Sequence, residues 1–224
     1  MNKIGEFYSE ILDFRQELCI IPEKKRRSAM MKNSLVGIAV LGASILYASG
    51  DISRKEISEG VGYIKTLGKE LKGEMKKRMK DDPTGLQAAY FCAKSADDIT
   101  KKVNAAFPEG VRVYRTALKY RNPDNRPDAT DKEVMEKMVE ALKNGNFEKR
   151  PVAVEMEDGA KRVYVPLLTG KTCLKCHGEI EKIDPKVKET ITKKYPEDKA
   201  TGFKEGELRG VIVAEMKSGS KEGR

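Results

Sequence analysis

An α+β domain with an antiparallel sheet is the fold class this sequence predicts, on three observations. Helical periodicities crowd residues 54–106, short strand-like runs dominate the later part, and tight turns join several of those runs. The composition agrees. At 224 residues the chain allows one main domain with appendages, and 39% hydrophobic residues suffice for a core. With 35% charged residues and a mean hydropathy of −0.58, a multi-span membrane protein is excluded.

The elements follow in order. Ile57, Val61, Ile64, Leu71, Met75 and Met79 recur close to a seam of about 3.5 residues among Lys and Glu, so 54–80 predicts a long helix. Such a narrow seam would suit a partner helix, which makes a homodimer through this element an expectation. Asp81-Asp82-Pro83 ends it. A second helix is expected from about Thr84 to Ala106, with Cys92, Ala96, Ile99 and Val103 on one face and Lys94, Asp98 and Lys101 opposite. A strand is expected over 111–116, then a Pro-rich loop from Arg121 to Pro127 and a helix over 131–143. Residues 151–155 and 162–168 read as strands joined by the turn Glu157-Asp158-Gly159. A further helix is expected near 185–194 and a last strand over 208–215.

Location is written near the start. Ser34 to Ser49 is sixteen residues without a charge, preceded by Lys24, Lys25, Arg26, Arg27 and Lys32. A basic flank before an apolar run is an export signal, and sixteen residues fall short of the about 20 that span a bilayer. Ala48-Ser49-Gly50 offers small residues for cleavage, and Met30 or Met31 would serve as the start of a signal peptide of ordinary length. The alternative is an uncleaved anchor with its basic side in the cytoplasm. Either reading places residues 51–224 outside the cytoplasmic membrane, in the periplasm. The net charge of +9 is spread with Lys and Glu mixed, the pattern of a solvated surface rather than of a nucleic-acid site.

The chemistry is carried by Cys173-Leu174-Lys175-Cys176-His177, the attachment signature of c-type haem. Each thiol adds to one vinyl group, and the adjacent imidazole reaches the iron from one side. A zinc site would want four ligands, and would have to take every one of the three Cys and the single His of the exported part. The single His also excludes bis-His ligation. Cys19 precedes the export segment, so Cys92 is left as an odd thiol in an exported chain. Cys92 reads either as a small buried hydrophobe or as the second axial ligand, with Met135, Met138, Met156, Met216, a Lys or water as competitors. Arg115, Arg121 and Arg126 are candidates to hold the haem propionates, since guanidinium forks suit carboxylates. The basic run Lys76-Lys77-Arg78-Lys80 reads as a solvated helix end.

Four ordered blocks carry a resemblance. They are Ala88-Ala89-Tyr90-Phe91-Cys92; Arg115 with Arg121-Asn122-Pro123-Asp124-Asn125-Arg126-Pro127; Cys173 to Gly178; and Gly202 to Gly210. Over about residues 83–217 the chain resembles the PAS-like c-type haem domains held by a cysteine and a histidine. These occur as exported stand-alone proteins and as input domains of histidine kinases. Ala117 and Thr130 depart from that pattern, where a Ser and an aromatic residue are expected. The resemblance implies a PAS-like antiparallel sheet with flanking helices, one covalent haem c, His177 as proximal ligand and Cys92 as distal ligand. The expected organisation is an extension with signal or anchor over 1–50, the long helix over 51–82, the haem domain over 83–217 and a tail over 218–224.

The expected role is a haem-based redox or small-gas sensor module acting on a separate signalling or redox protein, since no kinase, transmitter or DNA-binding segment follows the haem domain. The alternative is a periplasmic electron-transfer cytochrome. An enzyme acting on peroxide or nitrogen oxides is a third reading, for which the residues offer no general base beside the iron.

Overall fold

The computed structural model describes residues 52–217. The export segment, Cys19, the start at Met30 or Met31 and the tail over 218–224 lie outside the described residues. Among the described residues, no helix is long and apolar enough to cross a membrane.

The first helix, α1, runs Arg54–Asp81. Ser53 caps it: its Oγ accepts from the Glu56 N–H at 3.2 Å, while the Glu56 carboxylate accepts from the Ser53 N–H at 2.8 Å. Helix α2, Leu86–Lys94, and α3, Ala96–Ala105, follow. The single helix expected over 84–106 is therefore two, interrupted at Ser95. Its apolar face is nevertheless continuous, with Ala96 and Val103 buried and Lys94, Asp98 and Lys101 exposed.

Strands β1 (Val111–Thr116), β2 (Val152–Glu155), β3 (Lys161–Leu168) and β4 (Leu208–Met216) form one antiparallel sheet in the order β1-β4-β3-β2. Helix α4 (Ala129–Lys143) precedes β2; the short α5 (Leu174–His177) and α6 (Pro185–Lys194) lie between β3 and β4. Only β2 and β3 are joined by a tight turn, in which Gly159 has φ +75°. β3 and β4 are neighbours across the long connection 169–207, which carries α5 and α6. The fold is α+β and PAS-like: a four-stranded antiparallel sheet with flanking helices and a long N-terminal helix.

Side chains alternate across the sheet. On one face, Val113, Val163, Ile212 and Ala214 pack with Ile64 and Leu67 of α1 and Val103 of α3. Full burial of Ile64 and of Leu67 each stabilises by roughly 1.5–3 kcal/mol. Ile57, Val61 and Leu71 pack on the same cluster. The seam read as suited to a partner helix is thus covered by the protein's own sheet, and residues such as Lys65, Lys69 and Lys76 face outward. Gly60 permits this approach: a Cβ there would stand 2.7 Å from Val163 Cγ2.

The opposite face packs Tyr164, Val211 and Val213 against Val134, Met135 and Met138 of α4. A polar network is buried there. Asp131 accepts from Tyr114 and Tyr164, both at 3.0 Å, and Arg162 donates to Asp128, Asp131 and Glu215 at 2.5–3.2 Å. Burial, then the charge of Asp128, pushes the Asp131 carboxyl up.

Candidate functional site

The Cys-x-x-Cys-His segment spans a 3₁₀ turn, Lys171–Cys173, and α5. Gly178 ends α5, and a Cβ there would stand 2.6 Å from the Leu174 carbonyl, so the residue after the motif is held to glycine. Both thiols are free and half-buried. Cys173 Sγ accepts from the Gly170 N–H at 3.4 Å, and Cys176 Sγ lies 3.9 Å from the Gly85 carbonyl at the start of α2. Burial pushes the Cys176 thiol up to about 11.

His177 is set by its neighbour in the chain's return toward β4. Its Nδ1 lies 2.7 Å from the Ala200 carbonyl, which can only accept. Nδ1 therefore carries the proton, and Nε2 keeps its lone pair. Burial, then the positive charges of Arg209 and Arg121, holds His177 well below the usual range, so the ring is neutral. The Gly202 and Phe203 N–H groups donate to the Gly178 and His177 carbonyls at 2.7 and 2.9 Å, which pins this loop to the motif. Phe203 stands edge-on to the His177 ring at 6.2 Å.

Cys92 projects from α2, whose Ala88, Ala89 and Phe91 are buried. Ala89 packs with Ile183, Val187 and Ile191, and Cys176 packs against the same cluster. The helix carrying Cys92 is thereby docked onto the segment that follows the motif. Burial pushes the Cys92 thiol up, opposed by Arg115, Arg121 and Arg209. Arg121 and Arg209 act on both Cys92 and His177, so the two candidate ligands share one electrostatic environment.

Arg115 lies on the sheet face that carries α1 and α3, and Nη2 meets Asp97 of α3 at 3.3 Å. Asn122 donates to the other Asp97 oxygen at 2.9 Å, tying the Pro-rich loop to α3. Arg121 donates to the Cys176 and Ala200 carbonyls at 2.6 and 3.2 Å and pairs with Asp198 at 3.0 Å. It therefore joins the Pro-rich loop, α5 and the loop before β4. Arg126 is exposed. The competing sulfurs lie elsewhere. Met135 and Met138 are buried beneath α4 on the other sheet face, Met216 packs with the cluster under α1, and Met156 sits in the β2–β3 turn.

Sequence reasoning did not single out Asp97, Asp198, Lys119, Phe203 or Arg209 as site residues. Arg209 and Phe203 fall inside the Gly202–Gly210 block, which was the available signal. The two aspartates carried none, because their partners are distant in the chain.

Among the described residues, no three His, Cys, Asp or Glu side chains cluster to hold a bare metal ion. A porphyrin iron asks less of the protein: one or two axial donors, two thiols and partners for two carboxylates. The residues fit that demand. Cys173 and Cys176 are free thiols, His177 has a directed lone pair, and the buried Nε atoms of Arg115 and Arg121 lack a protein acceptor.

No curated protein matches this chain. The crystal structure of the cyanobacterial heme-protein Tll0287 resembles it with a TM-score of 0.56 and 25% sequence identity, covering 76% of this chain and 99% of that one. The Tll0287-like family pattern matches residues 43–216, from before α1 to the end of β4. With the α1 to β4 fold and the motif-bearing connection inside that span, the chain belongs to the Tll0287-like family.

Proposed function

We propose that this chain is an exported c-type haem protein with one covalent haem, acting as a redox or small-gas sensor module. The observation that carries the reading is the His177 Nδ1–Ala200 hydrogen bond, which leaves Nε2 free beside two unpaired thiols. Cys173 and Cys176 would form the two thioethers, His177 would be one axial ligand and Cys92 the other. Arg115 and Arg121 would meet the propionates through their unpartnered Nε atoms. The family membership and the likeness to a heme-protein support the same cofactor. The basic flank and apolar run over 24–49 support export to the periplasm, soluble or anchored.

When bound, the haem supplies an iron that changes oxidation state and, with an open position, takes CO or NO. The protein's part is to hold two unlike donors. His177 is fixed by a backbone carbonyl and by the loop that closes on it. Cys92 sits on a helix of two and a half turns, separate from the covalent attachment, so its sulfur is the donor free to leave. A thiolate is a soft anion that favours ferric iron, so Cys92 would be the donor whose hold depends on the oxidation state. An electron carrier needs both ligands kept in both states; a ligand that comes and goes is the two-state element a switch requires.

Protein from its native host should keep haem through acid–acetone extraction and show the haemochrome of a two-thioether haem, one per chain. Haem released into the extract sinks the covalent reading. CO or NO should bind after reduction and not before. Fast electron exchange with unchanged ligation would favour the carrier instead, and fractionation that finds haem-free protein in the cytoplasm would defeat export.

A further inference from the structure

Three guanidinium groups act on Cys92, two of them also on His177, and one of the three forms no ion pair among the described residues. Arg115 reaches in from β1 and is paired with Asp97; Arg121 comes from the following loop and is paired with Asp198. Arg209 comes from the start of β4. Among the described residues, no carboxylate lies within ion-pair distance of it. Its Nη1 donates to the Lys119 carbonyl at 3.2 Å, and its guanidinium stands 5.4 Å from the Phe203 ring centre. Lys119 stands over the same ring at 4.5 Å. Two carboxylates, Asp97 and Asp198, thus serve three guanidinium groups, while Lys119 is exposed.

A guanidinium without an ion pair in such a place is costly, because desolvation and like charges both oppose it. Burial, followed by the charge of Arg121, lowers Arg209 to about 10, with Asp198 opposing the shift. Two further signs point to a missing anion rather than to a tolerated fault. The Nε atoms of Arg115 and Arg121 are buried without an acceptor, and buried donors in native proteins are nearly always satisfied. They lie on different arginines, which suits two separate carboxylates better than one compact anion.

We propose that Arg209, with the free Nε edges of Arg115 and Arg121, completes the binding site for the two carboxylates of the cofactor and sets the charge balance beside the iron. This rests on the haem reading above. Arg209 lies at the start of the interior strand β4, C-terminal to the motif, and acts on both candidate axial ligands. Removing its charge leaves the carboxylates less neutralised, and the added negative field stabilises ferric iron.

The test uses the full-length holoprotein with Arg209→Met and Arg209→Lys, read by resonance Raman and by potentiometric titration. Arg209→Met should shift a propionate-bending band and lower the midpoint potential. Arg209→Lys should restore most of the potential, since it keeps the charge, while the band stays shifted because the planar fork is lost. Unchanged bands and potential in Arg209→Met overturn the proposal, as does a wild-type potential that depends on added phosphate and loses that dependence in Arg209→Met, which would place a free anion on Arg209. If Arg209→Met fails to load haem, the Arg209→Lys bands decide: an unshifted band overturns the assignment. Absence of covalent haem from wild type would instead defeat the function itself.

Discussion

His177 owes its usable lone pair to Ala200, a residue with no chemistry of its own. The carbonyl fixes the tautomer, and the Gly202 and Phe203 amides hold that carbonyl's loop against the motif. The motif itself was legible, because adjacent residues define it. The tautomer was not, because the partner stands 23 residues on. The same holds for Asp97 and Asp198, ordinary acidic residues in sequence that meet Arg115 and Arg121 only after folding. For Cys92, the residue reading rested on arithmetic, and the fold adds a docked helix and the removal of the methionines to other places. Cys92→Ala should keep haem attached, lose the thiolate features of the ferric spectrum and raise the midpoint potential; a ferric spectrum identical to wild type would hand the position to another ligand. Away from the site, Arg162 holds Asp128, Asp131 and Glu215 at once. Arg162→Met leaves buried carboxylates unpaired and should cost about 3–5 kcal/mol in urea unfolding of the same holoprotein. A loss below about 1 kcal/mol would mean that the network relaxes when opened.

The helices and strands were the most legible layer. The 185–194 helix and the 111–116 strand fall where expected, because Asp184-Pro185 and a β-branched run are strong local signals. The break at Ser95 was hidden, since the apolar spacing runs through it without a slip. What covers α1 was open for a different reason: a seam says that something packs on it, not what, and here the sheet does. The N-terminal end of α1 is also tied to the sheet by the ion pair of Glu56 with Lys161 of β3. The hydrogen bonds from Lys161 and then Ser53 lower Glu56 from 4.5 to about 2. A carboxyl depressed in the folded state contributes stability above its unfolded value and loses it as the pH falls through its folded one. The stability difference between wild type and Glu56→Gln should therefore be constant above about pH 5 and shrink toward zero near pH 2. Melts across that range check it, and a difference that does not vary with pH would remove the ion pair from the account.

Taken whole, the molecule is divided by its sheet. Arg115, α1 and α3 belong to one side, while α4 and the Asp131–Arg162 network belong to the other. Sequence order could not reveal this partition, because β1 pairs with β4 at the far end of the chain. The partition makes a prediction about transmission. Cys176 touches the Gly85 joint, and Met79 at the end of α1 stands close to the same glycine. A change at the iron should alter hydrogen exchange over residues 54–106 and leave α4 unaltered. Equal changes on both faces, or none over 54–106, would contradict a path through that joint.

The Gly85 joint also constrains the order of biogenesis. Cys176 packs on the same apolar cluster as Leu86 of α2, with its sulfur 3.9 Å from the Gly85 carbonyl. If haem is attached there as proposed, a vinyl group must reach a half-buried sulfur beside α2, where that helix docks on α6. Attachment before α2 docks would leave the sulfur open, and the docking of α2 would then seal the cofactor in place.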